Sequence, residues 1–469
     1  MRESVDSAIA ANRFGLGARP GDLGGIGRDP RGWLTAQLAG AAPILDDRGL
    51  RGSADILSEA LAIRRARRQQ RVGQPGQPDT ATQAADALKL GQLYRPIYIS
   101  EATARLRAAV MSERPFVERL THFWTNHFAV SIDKAIVLGL AGSFEREAIR
   151  PHVLGNFTNL LLAVEQHPAM LLYLDNHLSV GPNSPLGTRV ARRRPQARLG
   201  INENLAREIM ELHTLGVNSG YTQTDVTTFA KVLSGWSIGG ATGRLANGEP
   251  GRFMFRPELH EPGAQRVLGK RYPQEGFMQG ETVLRDFALH PATAHHIAEK
   301  LARHFIADEP PPRAVEQLAR TFLATGGDLP ALYRTLVHEP ESWARPLSKY
   351  KTPSDYVIST FRGLQLPVIE GRGALVGFEA LGQRTYSPGS PAGWPDRAPD
   401  WDGGSALLRR VEWADELGQR LGAREDAQAL APQLLGATLG DATRAALAHA
   451  SSPAQALTLL LAAPEFLRR

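Results

Sequence analysis

The segment that decides the fold is RPFVERLTHFWTNHF, residues 114–128. Its apolar side chains Phe116, Leu120, Phe123 and Trp124 recur at three- and four-residue spacing, which is typical of the buried face of an α-helix. The same spacing recurs in most of the chain. The sequence therefore predicts an all-α, mainly α fold, organised as a large irregular multi-helix domain.

Strand-like alternation is sparse and is clearest in GRFMFRPELH, residues 251–260. This segment follows a glycine-rich region, which favours a turn. We therefore expect a small β-hairpin near 251–270. Because no fixed-period repeat is present, we expect one domain over 1–469 rather than a solenoid. The alternative is two helical lobes, 1–236 with the candidate site and 237–469.

Three segments interrupt the helical pattern. Residues 73–83 and 179–200 are rich in Pro, Gly, Gln and Arg and are predicted to be flexible loops. Residues 385–404 also carry Pro and Gly, together with Trp394 and Trp401. We expect the two tryptophans to pack this third segment onto the helices as a long ordered loop.

Composition excludes several classes of protein. The hydrophobic fraction of 42% is that of a globular chain, and the net charge of +6 allows an acidic partner without requiring one. The absence of cysteine excludes disulfides, thiolate metal sites and a cysteine nucleophile. No apolar leader, twin-arginine start or membrane span is visible in the sequence, so the default expectation is a soluble, cytoplasmic protein.

The first candidate site lies in HFWTNHF, residues 122–128. His122 and Asn126 are i, i+4 neighbours and share a polar edge, while His127 lies beneath Phe123. His122 and His127 are about 140° apart on a regular helix and cannot share one metal ion unless the last turn unwinds. The alternative is a core histidine that is hydrogen-bonded to a carboxylate.

The second candidate lies in NENLAREIMELHTLG, residues 202–216. Glu208, Glu211 and His213 combine two carboxylates with an imidazole, which could ligate a metal ion or act as acid and base. The structural alternative is an ion pair between Arg207 and Glu211. We expect the polar edge of 122–127 to meet the acid-bearing face of 204–213 across the interior.

Further polar residues lie outside these two segments. His260 and Glu261 lie on the predicted hairpin or loop, where polar side chains favour function. Thr222 and Asp225 are typical of a capping box, and Trp236 is expected in the core. The helix at 291–306, including His295, His296 and His304, is interpreted as a packing segment and left out of the candidate site.

The predicted site thus combines side chains from three segments, with no metal assigned. These residues are His122, Asn126, His127, Glu208, Glu211, His213 and His260.

Several long motifs carry a family resemblance. They include HPAMLLYLDN (167–176), LSGW (233–236), KTPSDYV (351–357) and LGQRTYSPGSPAGWP (381–395), together with the two candidate segments. The chain resembles, nearly end to end, the bacterial family known as domain of unknown function 1800. The resemblance implies a mostly helical bacterial protein, often exported and often accompanied by a sulfatase-like partner. Two features differ from the family pattern: no leader is visible, and Glu261 follows His260 where the family usually has Asp.

Three functions stay open from the sequence, and whether the protein is an enzyme is uncertain. The first is a metal-assisted hydrolase that acts on a polymer or glycan, for which a divalent metal is a possible cofactor. The second is a non-catalytic accessory or assembly protein that works with the sulfatase-like partner. The third is a polyanion or nucleic-acid binder that uses the arginine clusters at 64–71 and 189–198. Nucleic acid is the less favoured ligand, because aromatic side chains do not alternate with the arginines.

Overall fold

The computed structural model describes residues 4–45, 49–72, 79–193, 199–217, 219–240, 247–344 and 346–469, with the backbone alone at 67–72 and 79–87. The structure is 61% helical, and the described strands form two small antiparallel pairs. The prediction of a mainly α fold with a small hairpin is confirmed. Among the helices of the described residues, none is both long enough and apolar enough to cross a membrane.

The helices before residue 236 are α1 Val5–Ile9, α2 Asp22–Ile26, α3 Pro30–Ala36, α4 Ser53–Val72, α5 Asp79–Met111, α6 Pro115–His127, α7 Ala141–Phe144, α8 Phe157–Glu165, α9 Pro168–Tyr173, α10 Pro185–Arg193, α11 Asn204–Glu208 and α12 Gln223–Leu233. The later helices are α13 Phe277–Ala288, α14 Pro291–Phe305, α15 Pro312–Ala324, α16 Leu329–His338, α17 Pro353–Gly363, α18 Val376–Ala380, α19 Gly404–Leu421, α20 Ala427–Leu435, α21 Asp441–Ala448 and α22 Pro453–Ala462. The strands are β1 Trp236–Ile238, β2 Phe253–Phe255, β3 Gln265–Val267 and β4 Lys270–Tyr272.

Three helices continue into π-helical turns. Ala10–Phe14 follows α1, Glu145–Ile149 follows α7, and Ile209–His213 follows α11. The second candidate segment is therefore helical throughout 204–213, but its second half is a π-turn and not a regular α-helix. A π-turn shifts the faces that later side chains occupy, and such turns are frequent at functional sites.

The strands lie close to the predicted hairpin. β3 and β4 pair through Leu268 and Gly269, whose φ angles of 48° and 75° are those of a tight hairpin turn. β2, inside the alternating segment, pairs instead with β1, the strand that follows α12. Thr222 and Asp225 form the predicted capping box at the start of α12.

The two predicted flexible loops need correction. Residues 79–83 begin α5, where Ala and Leu follow an acidic first residue; both features favour a helix. Residues 185–193 form α10, with Pro185 in the first turn and Arg192 and Arg193 in the last, as the helix dipole favours. Residues 73–78 and 194–198 lie outside the described residues, as do several side chains of both arginine clusters.

The segment 385–404 is ordered as predicted. The indole N–H of Trp401 donates to the Pro395 carbonyl over 2.9 Å, and the rings of Trp394 and Trp401 are 6.0 Å apart. Trp401 is buried. The segment therefore packs on the helices and can form the wall of a site.

Helix α6 lies at the centre of the core. Phe116 and Trp124 are fully buried, and the Trp124 indole donates to the Tyr333 hydroxyl of α16 over 2.6 Å. The Phe116 ring meets Phe305 of α14 edge-on at 5.8 Å. Because one face of α6 is held in this way, Glu118 and His122 lie on another face, beside the cavity described next.

Candidate functional site

A cavity of about 100 Å³ lies between α6, α14, the start of α17 and the segment 378–396. We call it the inner cavity. Many of its lining side chains are polar and carry charges of both signs, although most of the lining area is apolar. The charged, imidazole and amide side chains of the lining are Arg105, Arg119, His122, Asn126, His304, Asp355, Gln383, Arg384 and Asp396.

An ion-pair network lies behind His122. Its Nε2 is 3.5 Å from Glu118 Oε1, and Glu118 pairs with Arg150 at 2.5 Å. Arg150 also pairs with Glu145 at 2.8 Å, and Arg105 reaches Glu145 at 2.7 Å. Burial alone would raise the pKa of Glu145, but Arg105 and Arg150 outweigh it and lower the pKa to about 2. The network therefore keeps its buried carboxylates ionised.

His304 forms a second imidazole–carboxylate pair on the cavity. Its Nδ1 is 2.7 Å from Asp396 Oδ2, while its Nε2 is buried without a hydrogen-bond partner. Burial lowers the pKa of His304 to about 4, and Arg469 and Arg119 act in the same direction against Asp396. The ring is therefore neutral near pH 7. Since Nδ1–H donates to the carboxylate, the geometry assigns Nε2 as the unprotonated nitrogen.

Fixed positive charge flanks this pair. Arg119 Nη1 is 3.0 Å from Asp355 Oδ1, and Arg469 Nε is 3.0 Å from Asp355 Oδ2. Arg469 also lies 3.7 Å from Asp396 Oδ1. Burial lowers the pKa of Arg119 to about 10, so the guanidinium stays charged at neutral pH. Both carboxylates are thus shared between cations.

A second, wider pocket of about 250 Å³ adjoins the cavity, and we call it the outer pocket. The two share Asn126, His304, Trp394, Pro395 and Asp396 as a common wall. Asn126 holds this wall against α6 through two hydrogen bonds. Its Oδ1 accepts from the Trp394 amide over 2.7 Å, and its Nδ2 donates to the Trp394 carbonyl over 2.9 Å.

Glycine is needed at the point where the wall approaches α6. Gly393 has φ of +82°, and a Cβ there would lie 2.3 Å from the Asn126 carbonyl. Any larger side chain at 393 would push the wall away from α6.

The outer pocket is lined by Lys300 and Arg303 of α14 as well as His127. Lys300 is half-buried and, among the described residues, makes no hydrogen bond and no ion pair. Burial lowers the pKa of Lys300 to about 8, with Arg303 adding to the effect and Asp396 opposing it.

The two candidate segments touch at His127 and His213, and not between the polar edge of His122 and Asn126 and the acid-bearing face that were predicted to meet. His127 Nε2 is 3.2 Å from the His213 carbonyl, and the two rings are 6.3 Å apart. The carboxylate that binds His213 is Glu165 of α8, with Oε1 2.8 Å from Nδ1, and not Glu208 or Glu211. His122 and Asn126 line the inner cavity instead.

The structure places the remaining predicted residues elsewhere. Glu211 pairs with Arg207 at 3.3 Å, which is the structural alternative that the sequence allowed. Glu208 is half-buried, and burial raises its pKa. His260 is buried with Nδ1 2.8 Å from the Ser234 carbonyl, next to Phe255. These three do not share a cavity with His122.

The apolar face of α14 packs in the core, as its interpretation as a packing segment expects, while another face lines the two pockets. His304 lines both cavities, Lys300 lines the outer pocket, and His296 Nε2 lies 3.0 Å from the Leu212 carbonyl. The signal was present in the sequence, because His296, Lys300 and His304 recur at i, i+4 and i+8 and so share one face. Asp396 carried no local signal, since its role depends on how the segment 385–404 folds back.

The described residues contain no group of three or more His, Asp or Glu side chains placed to hold a metal ion. The pairs His122–Glu118 and His304–Asp396 each supply one imidazole and one carboxylate. Arg150 and Arg469 lie at the other oxygen of Glu118 and of Asp396, respectively. Nothing in the described geometry therefore supports the metal that the sequence left possible.

The fold and the site define a mainly helical protein with an internal cavity that is lined by ion pairs and by imidazole–carboxylate pairs. The family described as "Protein of unknown function (DUF1800)" matches residues 9–468, and the chain belongs to that family. The resemblance seen in the sequence is thereby confirmed. No curated protein and no solved structure matches the chain.

Proposed function

We propose that the protein is a hydrolase whose reaction takes place in the inner cavity, with His304 as the general base. One observation carries the proposal: His304 Nδ1 is 2.7 Å from Asp396 Oδ2, and its buried Nε2 has no hydrogen-bond partner. A neutral imidazole oriented by a carboxylate is the usual group that accepts a proton from water.

The proposed reaction uses three side chains, those of His304, Asp396 and Arg119. His304 Nε2 takes a proton from a water molecule as its oxygen attacks the substrate, and Asp396 stabilises the imidazolium that forms. The leaving group then receives that proton from His304. Arg119, at the cavity wall, provides positive charge where negative charge develops on the attacked group.

The low pKa of His304 fits an anionic substrate. Burial and two guanidinium groups hold the ring neutral, so it is ready to accept a proton at pH 7. A negative charge bound nearby would raise the pKa towards the working pH, which makes proton transfer more efficient in the complex.

His122 and Asn126 keep supporting roles in this proposal. His122 with Glu118 places a second imidazole on the same cavity. Asn126 holds the wall at Trp394 and so sets the shape of the cavity. A polymer or glycan substrate would bind with one end in the cavity. The accessory-protein and polyanion alternatives have no supporting contact among the described residues.

The test is a panel of esters, phosphate esters, sulfate esters, amides and glycosides, assayed with the wild type, H304Q and H295Q. His295 is exposed on the same helix and is the matched control. We expect turnover of at least one class, its loss in H304Q by about a hundredfold or more, and wild-type rates in H295Q. Turnover that survives in H304Q, or no turnover of any class, would contradict the proposal.

A further inference from the structure

Lys300 presents a charge without a counter-ion. The residue is half-buried on α14, lines the outer pocket, and makes no hydrogen bond or ion pair with the described residues. A buried or half-buried ammonium normally has a carboxylate partner, because removing it from water is otherwise unfavourable. A lysine in this condition beside a pocket points to a partner that is not part of the chain.

The neighbouring carboxylates are not available to Lys300. Asp396 is held by His304 at 2.7 Å, by Lys349 at 3.8 Å and by Arg469 at 3.7 Å. Asp400 also lines the pocket but is exposed to solvent and forms no ion pair with Lys300. Within the described part of the chain, Lys300 therefore has no direct ion-pair partner, and Asp396 acts on it only at longer range.

The other groups around Lys300 are cationic or neutral. Arg303 lies one turn along α14 and forms an ion pair with Glu299. His127 and His296 face the lysine from α6 and from α14 itself, and burial holds the pKa of both well below the usual value. As far as the described residues show, the pocket thus offers a positive charge without an ion-pair partner in a partly desolvated setting, where an ion pair is stronger than in water.

We propose that the outer pocket binds the anionic group of a small molecule, a carboxylate, phosphate or sulfate, with Lys300 Nζ as its counter-ion. The rest of the ligand would lie against the wall that the outer pocket shares with the inner cavity, where Asn126, Trp394 and Asp396 are. This inference deepens the proposed function, because it assigns the substrate an anionic group beside the reacting centre.

The experiment measures binding of sulfate, phosphate and acetate, each at millimolar concentrations, by calorimetry to the wild type, K300R, K300Q and K270Q. Lys270 is an exposed lysine that pairs with Asp286, and it serves as the control. We expect binding to the wild type, K300R and K270Q, and a loss of about tenfold or more in K300Q. The order of the three affinities shows which anionic group the pocket prefers.

A second readout follows the amine itself. Competitive labelling with an amine-reactive reagent, read by peptide mass spectrometry, gives the pKa of Lys300 with and without anion. We expect the bound anion to raise it by about one unit or more and to protect Lys300 from labelling, with Lys270 unchanged. The proposal is wrong if none of the three anions binds, if K300Q binds them as well as the wild type, or if labelling of Lys300 is indifferent to them. These measurements need no turnover, so they can fail or succeed independently of the hydrolase assay.

Discussion

Two of the imidazole–carboxylate pairs near α6, His304–Asp396 and His213–Glu165, have the same chemistry but differ in whether the histidine lines a pocket. His304 Nδ1 is 2.7 Å from Asp396 at the inner cavity, and His213 Nδ1 is 2.8 Å from Glu165 in the core. Both leave a buried Nε2 without a partner. His304 lines two pockets, whereas His213 is fully buried beside the rings of Phe128 and His127. The same local pair therefore serves as a candidate reactive group in one place and as a packing element in the other.

The largest loss of stability is expected when the ion-pair network behind the inner cavity is broken. R150M leaves Glu118 and Glu145 buried without their shared cation, and we expect it to lower the free energy of unfolding by about 3–5 kcal/mol. Urea denaturation measures this loss, with R424M as an exposed control. Equal stability of the two variants would mean that the network contributes little.

Acid should destabilise the protein, and His304 should account for part of the effect. Its pKa is lowered to about 4 in the folded state, so the unfolded chain takes up the proton first as pH falls. The stability that the protein gains from a neutral His304 is fully present above the pKa of the unfolded state. It is lost as the pH falls from about 6.5 to about 4. We expect H304Q to reduce the loss of stability over this range by on the order of 2–3 kcal/mol. An unchanged pH dependence in H304Q would show that the ring is not held neutral.

The core pair should affect stability without affecting chemistry. E165Q replaces a charged acceptor of the His213 hydrogen bond by a neutral one, and we expect a loss of about 2 kcal/mol in the free energy of unfolding. Turnover per folded molecule should stay at the wild-type level. If E165Q instead abolished turnover while H304Q did not, the roles of the two pairs would be reversed.

The smallest effect concerns Glu211, a residue that the sequence placed in the site. Its ion pair with Arg207 is partly exposed, so E211Q should cost no more than about 0.5 kcal/mol. Thermal unfolding beside that of the wild type is sufficient to measure it. A loss of turnover in E211Q would show that Glu211 takes part in the reaction, as the sequence predicted.

The sequence predicted the local features well. The helical spacing of 114–128, the capping box at Thr222 and Asp225, and the packing of Trp394 and Trp401 all depend on neighbours within a few residues. Such features follow from periodicity and from the chemistry of helix ends.

The site was predicted only in part, because its partners are distant along the chain. His122 and Asn126 were found on α6, but Asp396 reaches His304 across 92 residues and Asp355 reaches Arg119 across 236. The π-turn at Ile209–His213 also shifts Glu211 and His213 from the faces that a regular helix would give them. Spacing within one helix cannot reveal which loop folds back onto it.

The titration of the His304 ring by nuclear magnetic resonance, in protein labelled with ¹⁵N-histidine, tests the central claim most directly. We expect the ring to be neutral at pH 7, with its proton on Nδ1, Nε2 unprotonated, and its pKa well below the usual histidine value. An imidazolium at pH 7, or a proton on Nε2, would contradict the assignment of His304 as the base of the inner cavity.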